Sequence, residues 1–303
     1  MKEAHWSWRL LRSGAFRLDG GSMFGVVPRV VWEKAVAPDE RNRIPVQSNT
    51  LLLEREGRLV VIEVGCGDKL GPKERDLYAL EDRSVLDALN EAGADPSGVS
   101  TVIVTHLHFD HAGALTRRPR AGEPDRPILT FPNAEIVCQR QEWDDSKANR
   151  STMTRTYLKD HLTEEVAERL RLIDGASPVT QTGPGGPVAF GQFVFTQVLP
   201  GIEVFRVPGH TWGQQAVRFT DRRGRVIVYT PDVMPTVHHV GQAYNMAYDV
   251  EPFVSGQMRA RLLDAAASLG WLLAIDHEPG NPIVRVERDR EKPGVFRLAA
   301  VDE

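Results

Sequence analysis

The chain has 303 residues, of which 41% are hydrophobic, and its formal net charge is −4. This composition is sufficient for a buried core, and the slightly acidic balance excludes a general attraction to a phosphate backbone, so no nucleic-acid partner is expected. No apolar run reaches the roughly 20 residues that a membrane helix requires, so we also expect no membrane association.

The N-terminal segment, residues 1–11, mixes charged and aromatic side chains. It lacks the uninterrupted apolar stretch of a secretory signal, which indicates a cytoplasmic protein. The aromatic residues near this end, Trp6, Trp8 and Phe16, could form the surface of a homodimer together with a helical insert predicted at about 139–172.

The sequence up to residue 172 predicts several strands and two helical segments. Short β-branched and apolar runs predict strands at 49–54, 58–64, 101–105 and 134–138. Apolar residues at helical spacing predict a helix over 83–92. The polar stretch over about 139–172 carries one apolar stripe, which predicts a helical insert.

The second half repeats this outline after a glycine- and proline-rich loop at 183–187. Strands are predicted near 191–196, 202–207, 215–219, 226–229 and 271–275, and a helix over 255–269. Two successive runs of strands, each with a helix, predict two sheets packed face to face with helices outside. We expect a single domain, residues 1–303, with two similar halves at about 45–182 and 188–280.

Four residues that can bind metal ions lie within one six-residue segment. His106 and His108 project to the same side of a strand end, because side-chain direction repeats every two residues, and can share one ion. Asp110 and His111 follow on the turn, where the backbone can direct them at a second position. Imidazole and carboxylate ligands suit Zn, Fe, Mn, Co or Ni ions.

The segment 105–113, which reads THLHFDHAG, resembles the signature of the metallo-β-lactamase superfamily. Later segments resemble the remaining motifs of that family in the same order: Pro208-Gly209-His210-Thr211, Thr230-Pro231-Asp232 and Ile275-Asp276-His277. The resemblance extends from residue 50 to residue 277.

This resemblance implies the metallo-β-lactamase fold, an α/β fold of the α+β type. Its two mixed β-sheets form an αββα sandwich with outer helices, and the metal site lies at one edge. The implied ligands are His106, His108 and His210 for one ion and Asp110, His111 and His277 for the other, with Asp232 and a hydroxide bridging the two. We therefore expect two divalent transition-metal ions, with zinc first and Fe, Mn, Co or Ni as alternatives.

Three positions separate this chain from particular members of the family. Asp232 stands where some relatives have Cys, a pattern of the dinuclear hydrolases rather than of the β-lactam-cleaving enzymes. The Asp-Thr-Gly of many relatives is replaced by Glu63-Val64-Gly65, which changes a structural support rather than a ligand. Trp212-Gly213-Gln214 follows the third motif where similar lactonases have Pro-Gly-His, so the substrate class stays open.

The implied activity is metal-dependent hydrolysis, in which a metal-bridging hydroxide opens a small ester. A lactone of the acyl-homoserine type is the first candidate substrate. An arylesterase or phosphotriesterase is the alternative, ahead of a nuclease or a di-iron redox protein. Asp110 and Asp232 are the predicted catalytic residues, with Asp232 able to pass a proton to the leaving group.

Two segments could supply contacts to the substrate. The run at 233–249 follows a predicted ligand directly and is rich in polar and aromatic groups; His239, Tyr244 and Asn245 are its candidates. Trp143 and Tyr157 on the insert could cover the cleft. The alternative for all five side chains is that they pack the loop and the insert.

Overall fold

The structure is a computed structural model that describes residues 4–181 and 188–301. The predicted loop at 183–187 lies outside these residues. The elements of the first half are β1 (Ser7–Asp19), α1 (Gly20–Phe24), α2 (Arg29–Trp32), β2 (Arg43–Arg55), β3 (Arg58–Ile62), α3 (Pro72–Leu77), α4 (Val85–Glu91), β4 (Val99–Ile103), α5 (Phe109–Ala112), β5 (Thr116–Arg117), β6 (Ile128–Leu129), β7 (Glu135–Gln139), α6 (Arg140–Lys147), α7 (Glu164–Glu168) and β8 (Leu170–Ile173). Those of the second half are β9 (Val179–Gln181), β10 (Val188–Phe190), β11 (Thr196–Leu199), β12 (Ile202–Arg206), β13 (Gln215–Thr220), β14 (Val226–Thr230), α8 (Pro252–Leu269), β15 (Leu272–Ile275), β16 (Ile283–Arg288) and β17 (Phe296–Ala300). Single 3₁₀ turns lie at Pro96–Gly98, Gly113–Leu115 and Val237–His239.

Two large mixed sheets form the centre of the described structure. One has the strand order β1-β2-β3-β4-β7-β8, and the other has the order β11-β12-β13-β14-β15-β16-β17. In the first sheet, β3, β4, β7 and β8 are parallel neighbours. In the second, β14 and β15 are parallel, whereas the other neighbours are antiparallel. Short two-stranded ribbons pair β5 with β6 and β9 with β10.

The inner faces of the two sheets share one hydrophobic layer. Leu53 and Ile62 from the first sheet and Val217 and Ile227 from the second are completely buried in it. Because side chains alternate across a strand, the outer faces carry a second set of apolar residues. Helix α4 covers the first sheet and α8 covers the second. The predicted αββα sandwich of two mixed sheets is confirmed.

Local signals explain where the outer helices begin and end. Ser84 and Asp87 form a capping box at the start of α4. Helix α8 begins at Pro252, which suits a first helical turn, and ends before Gly270, whose φ of 68° is left-handed. No helix among the described residues, α8 included, is long and apolar enough to cross a membrane.

The N-terminal aromatic residues pack inside the chain. Trp6 and Phe16 are only 1% and 2% exposed. Trp6 Nε1 donates to the carbonyl oxygen of Pro200 at 3.0 Å, and the Phe16 ring lies 5.5 Å from that of His277. The predicted homodimer surface is therefore wrong for these two side chains. Phe16 points inward from β1, a 13-residue strand of the first sheet, and Trp6, which precedes β1, forms a β-bridge with Asp221. A homodimer itself stays a prediction.

The segment at 139–172 is less helical than predicted. It holds two short helices, α6 and α7, while 148–163 is irregular. Serine, threonine and asparagine are frequent there, and these side chains compete with helical hydrogen bonds. Leu170, which the predicted helical stripe included together with Leu162, Val166 and Ala167, belongs to β8 and pairs with β7. The strand predicted near 191–196 begins only at Thr196.

A close approach of two turns fixes the segment that carries the histidine cluster. The backbone of Gly65 forms a β-bridge with Ala112, and a Cβ added at Gly113 would lie 2.1 Å from the carbonyl oxygen of Cys66. We expect Gly113→Ala to lower the free energy of unfolding by about 1–3 kcal/mol, because the backbone must move apart. Chemical denaturation measures this difference.

Gly98→Ala is the control for that prediction, since its added Cβ would meet only Leu59 Cδ1 at 3.9 Å. Its free energy of unfolding should stay within about 0.5 kcal/mol of the parent protein. Equal stability of the two variants would contradict the close approach.

Candidate metal centre

Seven buried side chains meet at the edge of the sandwich where several strands end. Strands β4, β12, β14 and β15 all direct their carboxyl ends to this edge, since β12, β14 and β15 run parallel to one another. The segments that follow these four strands carry His106, His108, Asp110, His111, His210, Asp232 and His277. The structure thus brings together all seven residues that the sequence analysis selected.

Three histidines form the first group. The atoms Nε2 of His210 and Nδ1 of His108 are 2.9 Å apart. His106 completes the group, in which one ligand atom of each residue lies within 4.8 Å of the others. Nε2 of His106 is buried and has no hydrogen-bond partner among the described residues. A buried ring nitrogen without a partner is costly unless it binds something.

The second group contains His111, His277 and Asp110. The two Nε2 atoms of His111 and His277 are 3.2 Å apart. Asp110 places one carboxylate oxygen 3.8 Å from His111 Nε2 and the other 3.6 Å from His277 Nε2. This arrangement directs one carboxylate and two imidazoles at the same point.

Asp232 lies between the two groups. Its Oδ2 is 3.1 Å from Nε2 of His210 and 3.6 Å from Nε2 of His111. Its Oδ1 is 3.3 Å from Nε2 of His277, and its Oδ2 is 3.9 Å from Nε2 of His106. Ligand atoms at 2.0–2.1 Å from a tetrahedral zinc ion are about 3.3–3.4 Å apart. The spacing of these atoms therefore fits two ions that share Asp232.

The protonation states differ among the side chains of the cluster. Burial, together with the neighbouring histidines, holds the pKa of His106 and of His108 well below the usual value, so both rings are neutral and keep a free lone pair. Burial opposes ionisation of Asp232, but the charges of nearby histidines outweigh it and hold its pKa well below the usual value. Burial opposes protonation of His111, His210 and His277, but nearby acids outweigh it and raise the pKa of these three rings. They would release their protons when a metal ion binds, because neutral imidazole and ionised carboxylate are the forms that bind metal ions.

Most of the histidines are fixed by a second contact on the ring nitrogen that faces away from the cluster. His106 Nδ1 lies 3.0 Å from Thr105 Oγ1, and His277 Nδ1 donates to the Gln47 carbonyl oxygen at 3.1 Å. Such contacts set the tautomer and the orientation of a metal-binding imidazole.

His111 is held on the same principle by two acids. Its Nδ1 is 3.0 Å from Glu63 Oε2 and 2.9 Å from Asp276 Oδ2. Asp276 thus faces Nδ1 rather than Nε2, although it lies close enough to the cluster to count as a possible ligand. Burial raises the pKa of Glu63 to about 7, against the opposing charge of His111. Glu63 also accepts a hydrogen bond from the backbone N–H of Thr105, so it occupies the supporting position that the sequence suggested.

Two supporting acids escaped the sequence analysis. Asp249 Oδ1 accepts from His210 Nδ1 at 3.0 Å, and its Oδ2 accepts from the backbone N–H of Met246 at 3.1 Å. Glu142, on α6, joins two of the metal-binding segments and is described below. The signal for Asp249 was present, because it ends the polar and aromatic run at 233–249 that the sequence analysis selected.

Glu142 is a completely buried acid whose carboxylate accepts three hydrogen bonds. Its Oε1 accepts from the backbone N–H of Leu107 at 3.1 Å and from the Tyr157 hydroxyl at 3.0 Å. Its Oε2 accepts from the Thr211 hydroxyl at 2.6 Å. Leu107 and Thr211 each adjoin a histidine of the first group, so this single carboxylate ties both segments to the insert.

The five predicted substrate contacts lie outside the described lining of the cleft above the cluster. His239 is buried, with its ring nitrogens 2.8 Å from Thr236 Oγ1 and 2.9 Å from the Met23 carbonyl oxygen. The other four make contacts elsewhere. Tyr244 packs against Phe24, and Trp143 lies beneath the ammonium group of Lys147. Asn245 accepts a hydrogen bond from Arg259, and Tyr157 donates one to Glu142. Tyr157 is the nearest to the cluster, since its ring centre is 5.0 Å from that of His108.

A cleft of about 390 Å³ opens above the cluster, a size typical of small-molecule sites. Five ligand candidates lie at its floor: His108, Asp110, His210, Asp232 and His277. Apolar side chains form much of the wall, among them Leu18, Met23, Phe109 and Met246. Tyr248 also lines it.

The chain is similar to several known proteins. Residues 43–122 match the family model described as the metallo-beta-lactamase superfamily. An N-acyl homoserine lactonase from Bacillus sp. is 24% identical over 156 residues, which are 52% of this chain and 46% of that relative. The match thus spans a little under half the length of the curated relative.

Solved structures resemble the whole chain. A probable metal-dependent hydrolase from Staphylococcus aureus has a TM-score of 0.79 and 25% identity, with 100% of both chains covered. AidC, a dizinc quorum-quenching lactonase, has a TM-score of 0.74 and 15% identity, with 100% of this chain and 97% of that chain covered. Residues 43–122 therefore resemble the metallo-beta-lactamase superfamily, and the whole chain has the fold of these solved structures.

Proposed function

We propose that this protein is a hydrolase that binds two divalent metal ions, with zinc as the first candidate. His106, His108 and His210 would hold one ion, and Asp110, His111 and His277 would hold the other. The observation that carries the proposal is the position of Asp232, whose two oxygens lie 3.1–3.9 Å from Nε2 atoms of both groups.

Two bound divalent ions would supply an activated water near neutral pH and would polarise the oxygen of an ester. The residues of the chain have their own tasks. Asp110 and Asp232 line the cleft, so their carboxylates can meet the reacting groups. A carboxylate oxygen of Asp232 would accept the proton that the attacking water gives up and pass it to the leaving alkoxide. Burial raises the pKa of Tyr248 to about 12, so its phenol keeps the proton and can donate a hydrogen bond to a substrate oxygen.

The substrate that we propose first is a lactone. A small cleft with largely apolar walls suits an ester with a hydrocarbon chain, and it would exclude water from the reacting bond. A curated relative is named an N-acyl homoserine lactonase, which supports the same choice. Arylesters and phosphotriesters would use the same ions, so they are the competing substrates.

An assay of the metal-loaded protein separates these substrates. We would measure kcat/KM on an acyl-homoserine lactone, a nitrophenyl ester and a paraoxon-like triester. The proposal expects the lactone to have the highest value. A protein that holds two ions and hydrolyses only the triester would refute the lactone, and one that hydrolyses none of the three would refute the proposed ester hydrolysis.

Asp249 offers a test of metal binding that does not depend on the substrate. We expect Asp249→Ala to weaken metal affinity by about 10–100-fold, because His210 loses the partner that orients its ring. Competition with a chelator measures this affinity. Asp249→Asn keeps an acceptor at the same place and should lose less metal affinity than the alanine variant. Unchanged affinity in a folded alanine variant would contradict the supporting role.

A further inference from the structure

Four arginines line the cleft above the metal centre: Arg17, Arg41, Arg43 and Arg155. Away from the floor of the cleft, one acid, Asp19, lies in its described lining. An excess of guanidinium groups beside an apolar wall is unusual in a chain whose net charge is −4. Their partners decide whether these charges are available to a ligand.

Two of the arginines, Arg41 and Arg43, already bind acids or backbone carbonyl groups of the chain. Arg43 Nε donates to Asp39 Oδ2 at 2.9 Å, and its Nη1 donates to the carbonyl oxygens of Asp76 and Leu77 at 2.8 and 2.9 Å. Arg41 Nη1 is 3.1 Å from Asp76 Oδ2. These two side chains hold the rim of the cleft together.

The other two arginines keep most of their donors. Arg155 is exposed and makes no hydrogen bond or ion pair with the residues that the structure describes. Arg17 donates to the Arg43 carbonyl oxygen at 3.2 Å, and its nearest acid, Asp39, is 4.0 Å away and already paired with Arg43. A guanidinium carries five donors, so most of those on Arg17 and Arg155 are free to bind a ligand.

Asp19 does not neutralise these charges through a direct contact. Its Oδ1 accepts from the backbone N–H of Ser22 at 2.7 Å, and its Oδ2 accepts from Asn42 Nδ2 at 2.9 Å. Both carboxylate oxygens are thus engaged at the start of α1. The cleft therefore combines a metal-binding floor, apolar walls and two arginines with unused donors.

We propose that Arg17 and Arg155 select substrates that carry an anionic group, such as a carboxylate, at the end of the acyl chain remote from the bond that is hydrolysed. This inference rests on the proposed function and specifies its substrate class. The apolar walls would receive the hydrocarbon part of such a substrate. A guanidinium binds a carboxylate with two parallel hydrogen bonds, which gives directional selection as well as attraction.

The test compares two lactones of equal chain length, one whose acyl chain ends in a methyl group and one whose chain ends in a carboxylate. We expect kcat/KM of the parent protein to favour the carboxylate by roughly 10-fold, a discrimination that a charge-assisted contact can supply. Because the arginines are solvent-accessible, the preference should shrink as salt concentration rises. The dissociation constants of the two ring-opened products give a second readout, independent of turnover.

Arg155→Gln is the principal variant, since this exposed side chain supports no other described residue. It should lower the preference for the carboxylate severalfold, because the decrease in kcat/KM should be larger for the carboxylate-ended lactone than for the methyl-ended one. Arg155→Lys keeps the charge and should restore part of the preference. Arg223→Gln, in the turn before β14 at the opposite edge of the sheet, should change neither value.

The outcomes distinguish this proposal from the function on which it rests. Hydrolysis of both lactones with equal kcat/KM, or a preference that survives in Arg155→Gln and in Arg17→Gln, overturns the anionic selection alone. A protein that holds two ions but neither hydrolyses the lactones nor binds the carboxylate-ended product more tightly overturns both the lactone and the selection.

Discussion

Replacing Asp232 with asparagine should remove nearly all hydrolysis and at least one of the two bound ions. The two oxygens of Asp232 face histidines of both groups at 3.1–3.9 Å, and a neutral amide cannot supply a charged ligand to two cations. The loss of several kcal/mol of transition-state stabilisation corresponds to a decrease in kcat of about 1,000-fold or more. Kinetic assays and elemental analysis of the same preparation measure both effects.

Circular dichroism should show that the Asp232→Asn variant keeps its fold. His108→Ala removes a ligand of the first group only and should give the same loss of activity. Asp125→Asn, at an exposed position, should retain normal turnover and metal content. Near-normal turnover in a folded Asp232→Asn variant would contradict the role of the shared carboxylate.

Removing the carboxylate of Glu142 should produce the largest loss of stability of the substitutions considered. Glu142→Ala would leave buried donors on Leu107, Tyr157 and Thr211 without their acceptor. Each unsatisfied buried donor costs about 1–3 kcal/mol, and water entering the space offsets part of the sum, so we expect the free energy of unfolding to fall by about 3–5 kcal/mol. Denaturant titration of the metal-free protein measures it.

Asp144→Ala is the matched control, because Asp144 lies on the same helix but is exposed and, among the residues that the structure describes, forms an ion pair only with Lys147, at 3.1 Å. Surface pairs of this kind contribute about 0–1 kcal/mol. Glu142→Gln keeps one acceptor oxygen and should fall between the two alanine variants. An equal loss of stability in Glu142→Ala and Asp144→Ala would contradict the role of the Glu142 hydrogen bonds in holding the metal-binding segments to the insert.

The strand runs predicted the sandwich, and the resemblance of four short motifs to those of the family selected the seven residues that the structure brings together. Four potential ligands lie between His106 and His111, and the other three each follow an apolar run that the sequence marks as a strand. Strand ends fix the edge at which such residues meet. A short segment of sequence therefore contains most of the information that positions each of them.

Residues that act through distant contacts were harder to find. Asp249 is 39 positions from His210, and Glu142 lies in a polar helix that resembles a solvated one. Nothing in the neighbouring sequence shows that these acids are buried. Conversely, His239 is adjacent to a ligand segment but turns inward, because Thr236 and Met23 bind both of its ring nitrogens.

Pairing between strands that are distant in sequence explains the remaining differences between the predicted and the observed structure. Leu170 continues the helical spacing of Leu162 and Val166, yet β7 offers it a parallel neighbour, and sheet formation prevails over local preference. In the same way, β1 pairs with β2 over almost its full length, which places Phe16 beside His277. Such long-range pairings are not readable from a single segment.

The number of metal ions bound per chain tests the central claim most directly. The protein would be purified, stripped with a chelator, reloaded separately with zinc, manganese, iron and cobalt, and freed of unbound metal before elemental analysis. Our account predicts two ions per chain for at least one of these metals. Failure of every metal to exceed trace occupancy in folded protein would contradict it.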